Sequence, residues 1–256
     1  MSNMSLLRIL VLVAIVLPIQ KCDAAEITGG KEVVPHSRPY MALVRTAGKA
    51  FCGGTLIRPI WVLTSADCIV DKTTTVDLGV HSIKNTKDSQ RQRFTVIQAI
   101  PHPKFNKEKH MNNLQLLKLS GKADLTKTVK TVTFPERFTD AKPGSVCDII
   151  GWGRTDNKKP GTSDKLMEAR VTVLDRKVCA AQWKPTVRIT KDMMCTSGKE
   201  AARGFCNGDV GGPLICGGFQ KAIISFGSIL CGTPNGADVY TRLTKEYVKW
   251  IKKQIK

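Results

Sequence analysis

The chain has 256 residues, of which 42% are hydrophobic and 24% are charged, and its formal net charge is +19. This apolar content is enough for a sizeable core, and the length fits one β-rich domain or two smaller ones. Beyond the N-terminal segment there is no second long apolar run, which argues against a membrane-spanning protein.

Residues 1–24 predict a secretory signal peptide. Arg8 precedes the apolar run 9–19, and the small residues Ala24 and Ala25 follow it. The run is too short to span a bilayer. We therefore expect a secreted protein, free or stored in secretory granules, with no stable membrane insertion.

Short apolar runs alternate with turn residues along most of the chain, a pattern that predicts antiparallel strands. In the first half these runs are 51–57, 61–64, 76–80 and 94–100. In the second half they are 146–152, 166–174, 213–216, 222–227 and 239–243. The last stretch, 241–256, instead has its apolar residues at helical spacing among lysines and predicts an amphipathic C-terminal helix.

The cysteines predict disulfides. There are 9 in the chain, and Cys22 lies in the signal peptide, which leaves an even number in the mature protein. An even count in a secreted chain favours disulfides over free thiols. No Cys-x-x-Cys or paired-histidine spacing occurs, so we expect neither a metal site nor a cofactor.

The positive charge belongs to the mature protein, because residues 1–26 contain two basic and two acidic side chains and their removal leaves +19. Such a field favours polyanions: sulfated glycans, anionic microbial envelopes or nucleic acid met outside the cell. The alternative is that scattered lysines only keep the protein soluble. Lysines of the C-terminal helix form the best local candidate for a polyanion patch.

Three segments carry a family resemblance: Trp61-Val-Leu-Thr-Ser-Ala-Asp-Cys68, the stretch 111–119, and Cys206-Asn-Gly-Asp-Val-Gly-Gly-Pro213. They resemble the three catalytic segments of trypsin-like serine proteases. Gly79-Val-His-Ser-Ile83, Gly151-Trp-Gly-Arg-Thr155 and 175–179 are similar to granzymes A and K. The resemblance covers 27–256 and implies an all-β fold of two six-stranded antiparallel β-barrels with a C-terminal α-helix.

The resemblance also implies one pairing among the eight mature cysteines. The implied disulfides are Cys52–Cys68, Cys147–Cys216, Cys179–Cys195 and Cys206–Cys231. It further implies a monomer, because Lys104 stands where granzyme A-like dimers carry an intermolecular cysteine.

The positions that hold the catalytic triad in the family are all substituted. Asp67 stands where the family has its histidine, Asn113 where it has the orienting aspartate, and Val210 where it has the serine. Valine has no hydroxyl, and neither Asp67 nor Asn113 supplies a base that titrates near neutral pH. We therefore expect no catalytic residues.

Other parts of the family's machinery are retained. The backbone amides of Gly208 and Val210 match an oxyanion hole. Ala25-Glu26 resembles the activation dipeptide of granule proteases, and its removal would free the amine of Ile27 to pair with Asp209. The alternative is that signal peptidase alone makes the N-terminus.

The resemblance places the specificity pocket at Gly204, Ser225, Gly227 and Asp238. Gly204 stands where trypsin and granzyme A-like enzymes hold an acidic residue, and Asp238 stands at a wall position that is usually glycine. Asp238 either offers an acidic group to a basic side chain or blocks the pocket, and we favour blockage.

These features together predict a secreted, inactive granzyme-like homologue that acts by binding heparin-like glycans or anionic microbial envelopes in defence. One alternative is a serine-type endopeptidase with a non-standard site, which predicts cleavage of substrates with basic side chains. The other is a decoy that captures protease inhibitors or substrates without cleaving them.

Overall fold

The computed structural model describes residues 27–46, 51–135, 138–158, 161–198, 203–228 and 230–256. The predicted signal peptide 1–24 and the dipeptide 25–26 lie outside the described residues. Within them the chain folds into two closed six-stranded antiparallel barrels and two helices, which confirms the predicted fold class.

The first barrel contains β2 to β7. Its strands are β2 Met41–Arg45, β3 Phe51–Arg58, β4 Trp61–Thr64, β5 Thr75–Leu78, β6 Gln92–Pro101 and β7 Gln115–Leu119. They follow the order β2-β3-β4-β7-β6-β5, and the pairing of β5 with β2 closes the barrel.

The second barrel contains β8 to β13. Its strands are β8 Val146–Gly151, β9 Met167–Val173, β10 Met193–Ser197, β11 Pro213–Cys216, β12 Phe219–Phe226 and β13 Asp238–Arg242. They follow the order β9-β10-β13-β12-β11-β8, and the pairing of β8 with β9 closes the barrel. A short strand, β1 Lys31–Glu32, adds to β9 from outside.

Several strands, such as β2, are apolar on both faces because each barrel packs against the other, whereas β6 is largely exposed. On β2, Ala42 and Val44 belong to the core of the first barrel, whereas Met41 and Leu43 belong to a cluster that also contains residues of the second barrel. Since successive side chains of a strand point to opposite faces, one run supplies both the barrel interior and the interface. The interface positions everything that lies between the barrels.

Two helices complete the fold: α1 Arg176–Trp183 and α2 Lys245–Gln254. The predicted helix began at Thr241, but Thr241 pairs with Met193 and Ile223 in β13. The helix begins later because Thr244 caps it, its side chain accepting a hydrogen bond from the Tyr247 N–H at 3.2 Å. Tyr247, Val248 and Ile251 are its buried residues.

The four disulfides implied by the resemblance are present. They join Cys52 to Cys68, Cys147 to Cys216, Cys179 to Cys195, and Cys206 to Cys231. The first and last flank the segments that carry Asp67 and Val210, so they fix these segments to their barrels.

Candidate functional site between the barrels

Asp67, Asn113 and Val210, the positions that the resemblance matches to a catalytic triad, lie at the junction of the barrels. Asp67 lies in the turn after β4 and precedes Cys68, while Asn113 precedes β7, the neighbour of β4. Val210 comes from the second barrel. Its carbonyl accepts a hydrogen bond from the Gly53 N–H at 2.9 Å and lies 3.7 Å from Cys68 Sγ.

Asn113 is the centre of a buried hydrogen-bond network. Its Nδ2 donates to Asp67 Oδ2 at 2.6 Å and to Ser225 Oγ at 2.8 Å. Its Oδ1 accepts from Ser65 Oγ at 2.7 Å and from the Asp67 N–H at 3.0 Å. The amide can satisfy all of these partners because it is both a donor and an acceptor, whereas an ionised carboxylate accepts only.

Asp67 is half-buried, and this position changes its ionisation. Partial burial raises its pKa above the ordinary value for aspartate, while His110, the hydrogen bond from Asn113 and Lys107 act in the opposite direction. The hydrogen bond from Asn113 Nδ2 makes Asp67 an acceptor in the network.

Val210 supplies no polar side-chain atom to this site. Its side chain is partly buried and packs against the core of the first barrel. The hydroxyls of the network, on Ser65 and Ser225, belong to residues that are buried to 0% and 4% exposure and already engaged with Asn113. Ser65 thus donates its hydroxyl proton to Asn113, whereas the hydroxyl oxygen of Ser225 accepts from it.

The loop that ends at Val210 is held by Asp209. Asp209 is fully buried and accepts hydrogen bonds from the Gly153 N–H at 2.7 Å and the Cys206 N–H at 3.0 Å. Burial raises its pKa to about 7, and these two hydrogen bonds oppose the shift. A Cβ on Gly153 would lie 2.2 Å from Asp209 Oδ2, so only glycine fits there.

Ile27 is also fully buried and belongs to the core cluster of the second barrel. The same cluster contains Phe205, the residue before Cys206. Ile27, which would become the new N-terminus, therefore packs in the same cluster as the start of the loop that Asp209 holds. The ion pair between the Ile27 amine and Asp209 remains an expectation for the cleaved protein.

The two amides matched to an oxyanion hole lie in this loop. Gly208 has a φ of 103°, a value that favours glycine. Among the described residues, neither the Gly208 N–H nor the Val210 N–H has a hydrogen-bond acceptor. Both donors are therefore open to another acceptor.

The side chain of Asp238 fills the space between the two pocket glycines. A Cβ on Gly204 would lie 2.6 Å from Asp238 Oδ2, and a Cβ on Gly227 would lie 2.5 Å from Asp238 Oδ1. The same Cβ on Gly227 would lie 3.1 Å from the Phe205 ring. Asp238 is only 7% exposed, and burial raises its pKa to about 8.

All four histidines of the chain are described, and each has its own neighbour. His81 Nε2 lies 2.7 Å from Glu32, and His36 lies 3.9 Å from Asp88. His102 packs on Tyr247 and Trp250. His110 stacks on Phe226 with ring centroids 4.3 Å apart. It is the one histidine whose electrostatic interaction lowers the pKa of Asp67.

Comparison with known proteins agrees with this arrangement. A family model described as Trypsin matches residues 27–251. The chain belongs to the trypsin family. It is 41% identical to granzyme A of Bos taurus over 231 residues, which cover 90% of this chain and 88% of that protein.

Two further relatives extend this result. Duodenase-1 of Bos taurus is 39% identical over 246 residues, covering 95% of this chain and 94% of that protein. The solved structure of neuropsin, described as a serine protease of mouse brain, matches with a TM-score of 0.80 and 34% identity over 89% of this chain and 99% of that one. These trypsin-family proteins share the whole two-barrel domain with this chain.

The family resemblance located the segments of this site, but it did not identify every residue that shapes it. Ser65 and Phe205 were missed as parts of the network and of the pocket. Phe205 stands directly before Cys206, and this sequence position could have indicated that Phe205 lies beside the pocket. The role of Ser65 depends on the Asn113 amide and follows only from coordinates.

The described residues contain neither a metal-ligand cluster nor a membrane-spanning helix. No group of three or more His, Cys, Asp or Glu side chains there is arranged to hold a metal ion. No helix in the same part of the chain is long and apolar enough to cross a membrane.

Proposed function

We propose that this protein is a catalytically inactive, secreted member of the trypsin family that acts by binding anionic glycans or microbial surfaces. The observation that carries the loss of catalysis is the contact between Asn113 Nδ2 and Asp67 Oδ2 at 2.6 Å beside Val210. In this family's chemistry a base must take a proton from a nucleophile. Here an amide donates to a carboxylate, and the third position has no proton to give.

The pocket supports the same proposal. Asp238 occupies the space between Gly204 and Gly227, so a long substrate side chain has little room to enter. The loss therefore affects substrate binding as well as chemistry. Without a triad, an oxyanion hole and binding alone leave only about 10³–10⁴-fold acceleration over water.

The net charge of +19 supports the choice of ligand class. A field of this sign attracts polyanions over long distances and weakens with salt. We expect the mature protein to be retained on heparin-agarose and released by salt, with much weaker retention on desulfated heparin. Equal retention on the two matrices would exclude recognition of sulfated glycans.

Inactivity is tested with a fluorogenic peptide library and three proteins that begin at Ile27. These are the natural chain, the Val210→Ser variant, and the triple variant Asp67→His, Asn113→Asp, Val210→Ser. We expect no turnover by the first two, because a hydroxyl without a base remains a weak nucleophile. The triple variant shows whether the frame still supports the reaction. Turnover by the natural chain above a heat-denatured sample would contradict the proposal.

The second candidate is an endopeptidase whose base is a histidine from another position, since His110 interacts electrostatically with Asp67. It predicts turnover by the natural chain that a His110→Gln change abolishes. The decoy alternative predicts instead a tight complex with a small inhibitor of trypsin-like proteases, without cleavage. Asp238 argues against deep insertion of an inhibitor side chain, so a complex would have to use the rim of the cleft.

A further inference from the structure

A groove runs along the C-terminal helix α2. Its volume is about 580 Å³, within the range of pockets that hold small molecules. Phe138 and Val248 form its apolar lining, and the remaining lining residues are all lysines. These lysines are Lys245, Lys249, Lys252, Lys253 and Lys256.

The five lysines of the groove form the lysine stripe: Lys245, Lys249, Lys252 and Lys253 belong to α2, and Lys256 follows its end. Lys245, Lys249 and Lys252 follow the spacing i, i+4 and i+7, so they lie in a row about 10 Å long on one face of α2 at 1.5 Å per residue. All five are exposed. Among the described residues none of them has a carboxylate within salt-bridge distance.

The fold does not account for this stripe. Lysines favour the C-terminal end of a helix, which explains Lys252 and Lys253 in the last turn. Lys245 is the first residue of α2, where the helix dipole opposes a positive charge. Like charges four residues apart also repel. An external anion would relieve both effects.

The apolar part of the groove is recessed beneath the charges. Phe138 is half-buried and Val248 is buried, whereas the five lysines are exposed, and a lysine carries its charge at the end of a long aliphatic stem. A polyanion without an alkyl chain would contact only the lysines. A bilayer would need apolar side chains that protrude. A recessed apolar floor below a cationic rim fits one acyl chain with an anionic head.

We propose that this groove binds a single anionic amphiphile, with its acyl chain against Phe138 and Val248 and its phosphate or sulfate head on the lysine stripe. The proposal deepens the proposed binding function and rests on it for the sign of the ligand. It assigns binding to the groove along α2 and requires that the ligand carry an acyl chain.

The test uses the mature protein and monomeric myristoyl lysophosphatidylglycerol, titrated below its micelle concentration by calorimetry. Two probes separate the parts of the ligand: the lysophosphatidylcholine of the same chain length and the glycerophosphoglycerol head alone. We expect one molecule of the anionic lipid to bind, and each of the other two to bind at least about tenfold more weakly.

Matched variants separate the groove from the general field. Lys249→Gln with Lys252→Gln removes two charges at the groove, and Lys127→Gln with Lys130→Gln removes two exposed charges elsewhere. We expect the first pair to weaken binding about tenfold and the second less than about twofold. Phe138→Ser should also weaken binding of the lipid while leaving retention on heparin unchanged.

The outcomes distinguish this proposal from the proposed function. Equal losses in the two lysine pairs, equal binding of the anionic and zwitterionic lipids, or binding to phosphatidylglycerol vesicles but not to monomers would each overturn the groove. In those cases retention on heparin would still support polyanion binding. Lipid binding that follows the groove variants, without retention on heparin, would support the groove and overturn the glycan function.

Discussion

The cleft between the barrels and the groove along α2 use charge in opposite ways. The cleft holds three carboxyl groups, on Asp67, Asp209 and Asp238, whose burial raises their pKa values. The groove holds five exposed lysines and an apolar floor. A protein with a net charge of +19 thus places buried and half-buried acids in the cleft and exposed cations at its C-terminal helix.

The difference shows where each region directs its interactions. In the cleft, the amide of Asn113 and the backbone N–H groups around Asp209 meet polar partners within the protein, so these groups stabilise the fold. At the groove, the lysines have no carboxylate partner among the described residues, so their charges remain available to a ligand. We expect changes in the cleft to alter stability and changes at the groove to alter binding.

The largest expected effect concerns Asp238. Its pKa of about 8 lies above that of an unfolded aspartate, so between about pH 4 and pH 8 the folded state holds a proton that the unfolded state has lost. Stability should therefore fall as pH rises through this window, by about 1 kcal/mol per pH unit. Asp238→Asn should remove this part of the slope, and its gain over the natural chain should grow toward pH 8.

The measurement is the free energy of unfolding in urea from pH 4 to pH 8. Asp209 contributes a slope of the same sign in protein that retains the residues before Ile27, so both proteins must have the same N-terminus. Asp124→Asn, at an exposed position, is the matched control and should follow the natural chain. Parallel curves for Asp238→Asn and the natural chain would show that the buried carboxyl does not carry the effect.

Sequence patterns predicted much of the frame but little of this chemistry. Apolar alternation located nine of the strands, and the family resemblance supplied both barrels and all four disulfides. Strands β1, β2 and β10 and helix α1 were not among these runs, and β7 lies in the stretch 111–119 that the resemblance supplied. The protonation of Asp238 depends on the Phe205 ring and two glycines closing around it, which no local pattern encodes.

The next effect in size tests the Asn113 network. Asn113→Asp places a second carboxylate against Asp67 Oδ2 and removes the donor that Ser225 also uses. Two carboxylates at this separation cannot both ionise. Holding a proton on one of them at pH 7 should cost about 2–3 kcal/mol, and this loss should shrink toward pH 4, where an ordinary carboxyl is itself partly protonated.

Adding Asp67→His should restore most of this stability, because an imidazole can donate to the new carboxylate. Urea unfolding of the two single variants and the double variant gives the coupling energy. Asn235→Asp makes the same chemical change at an exposed position and should have little effect. Additive effects at positions 67 and 113 would mean that the amide is not the centre of the network.

The smallest expected effect concerns the stability of α2 itself. The helix is capped by Thr244 and packs through Tyr247, Val248 and Ile251. Its lysines form no salt bridge among the described residues, so they take no part in this stabilisation. Lys249→Gln with Lys252→Gln should therefore change the unfolding free energy by less than about 0.5 kcal/mol, and the removal of repulsion along the stripe should make the change stabilising. The same pair weakens lipid binding if the groove is a site. Urea unfolding without ligand measures the first effect, and a loss of more than about 1 kcal/mol would mean that the stripe supports the fold, as the cleft does.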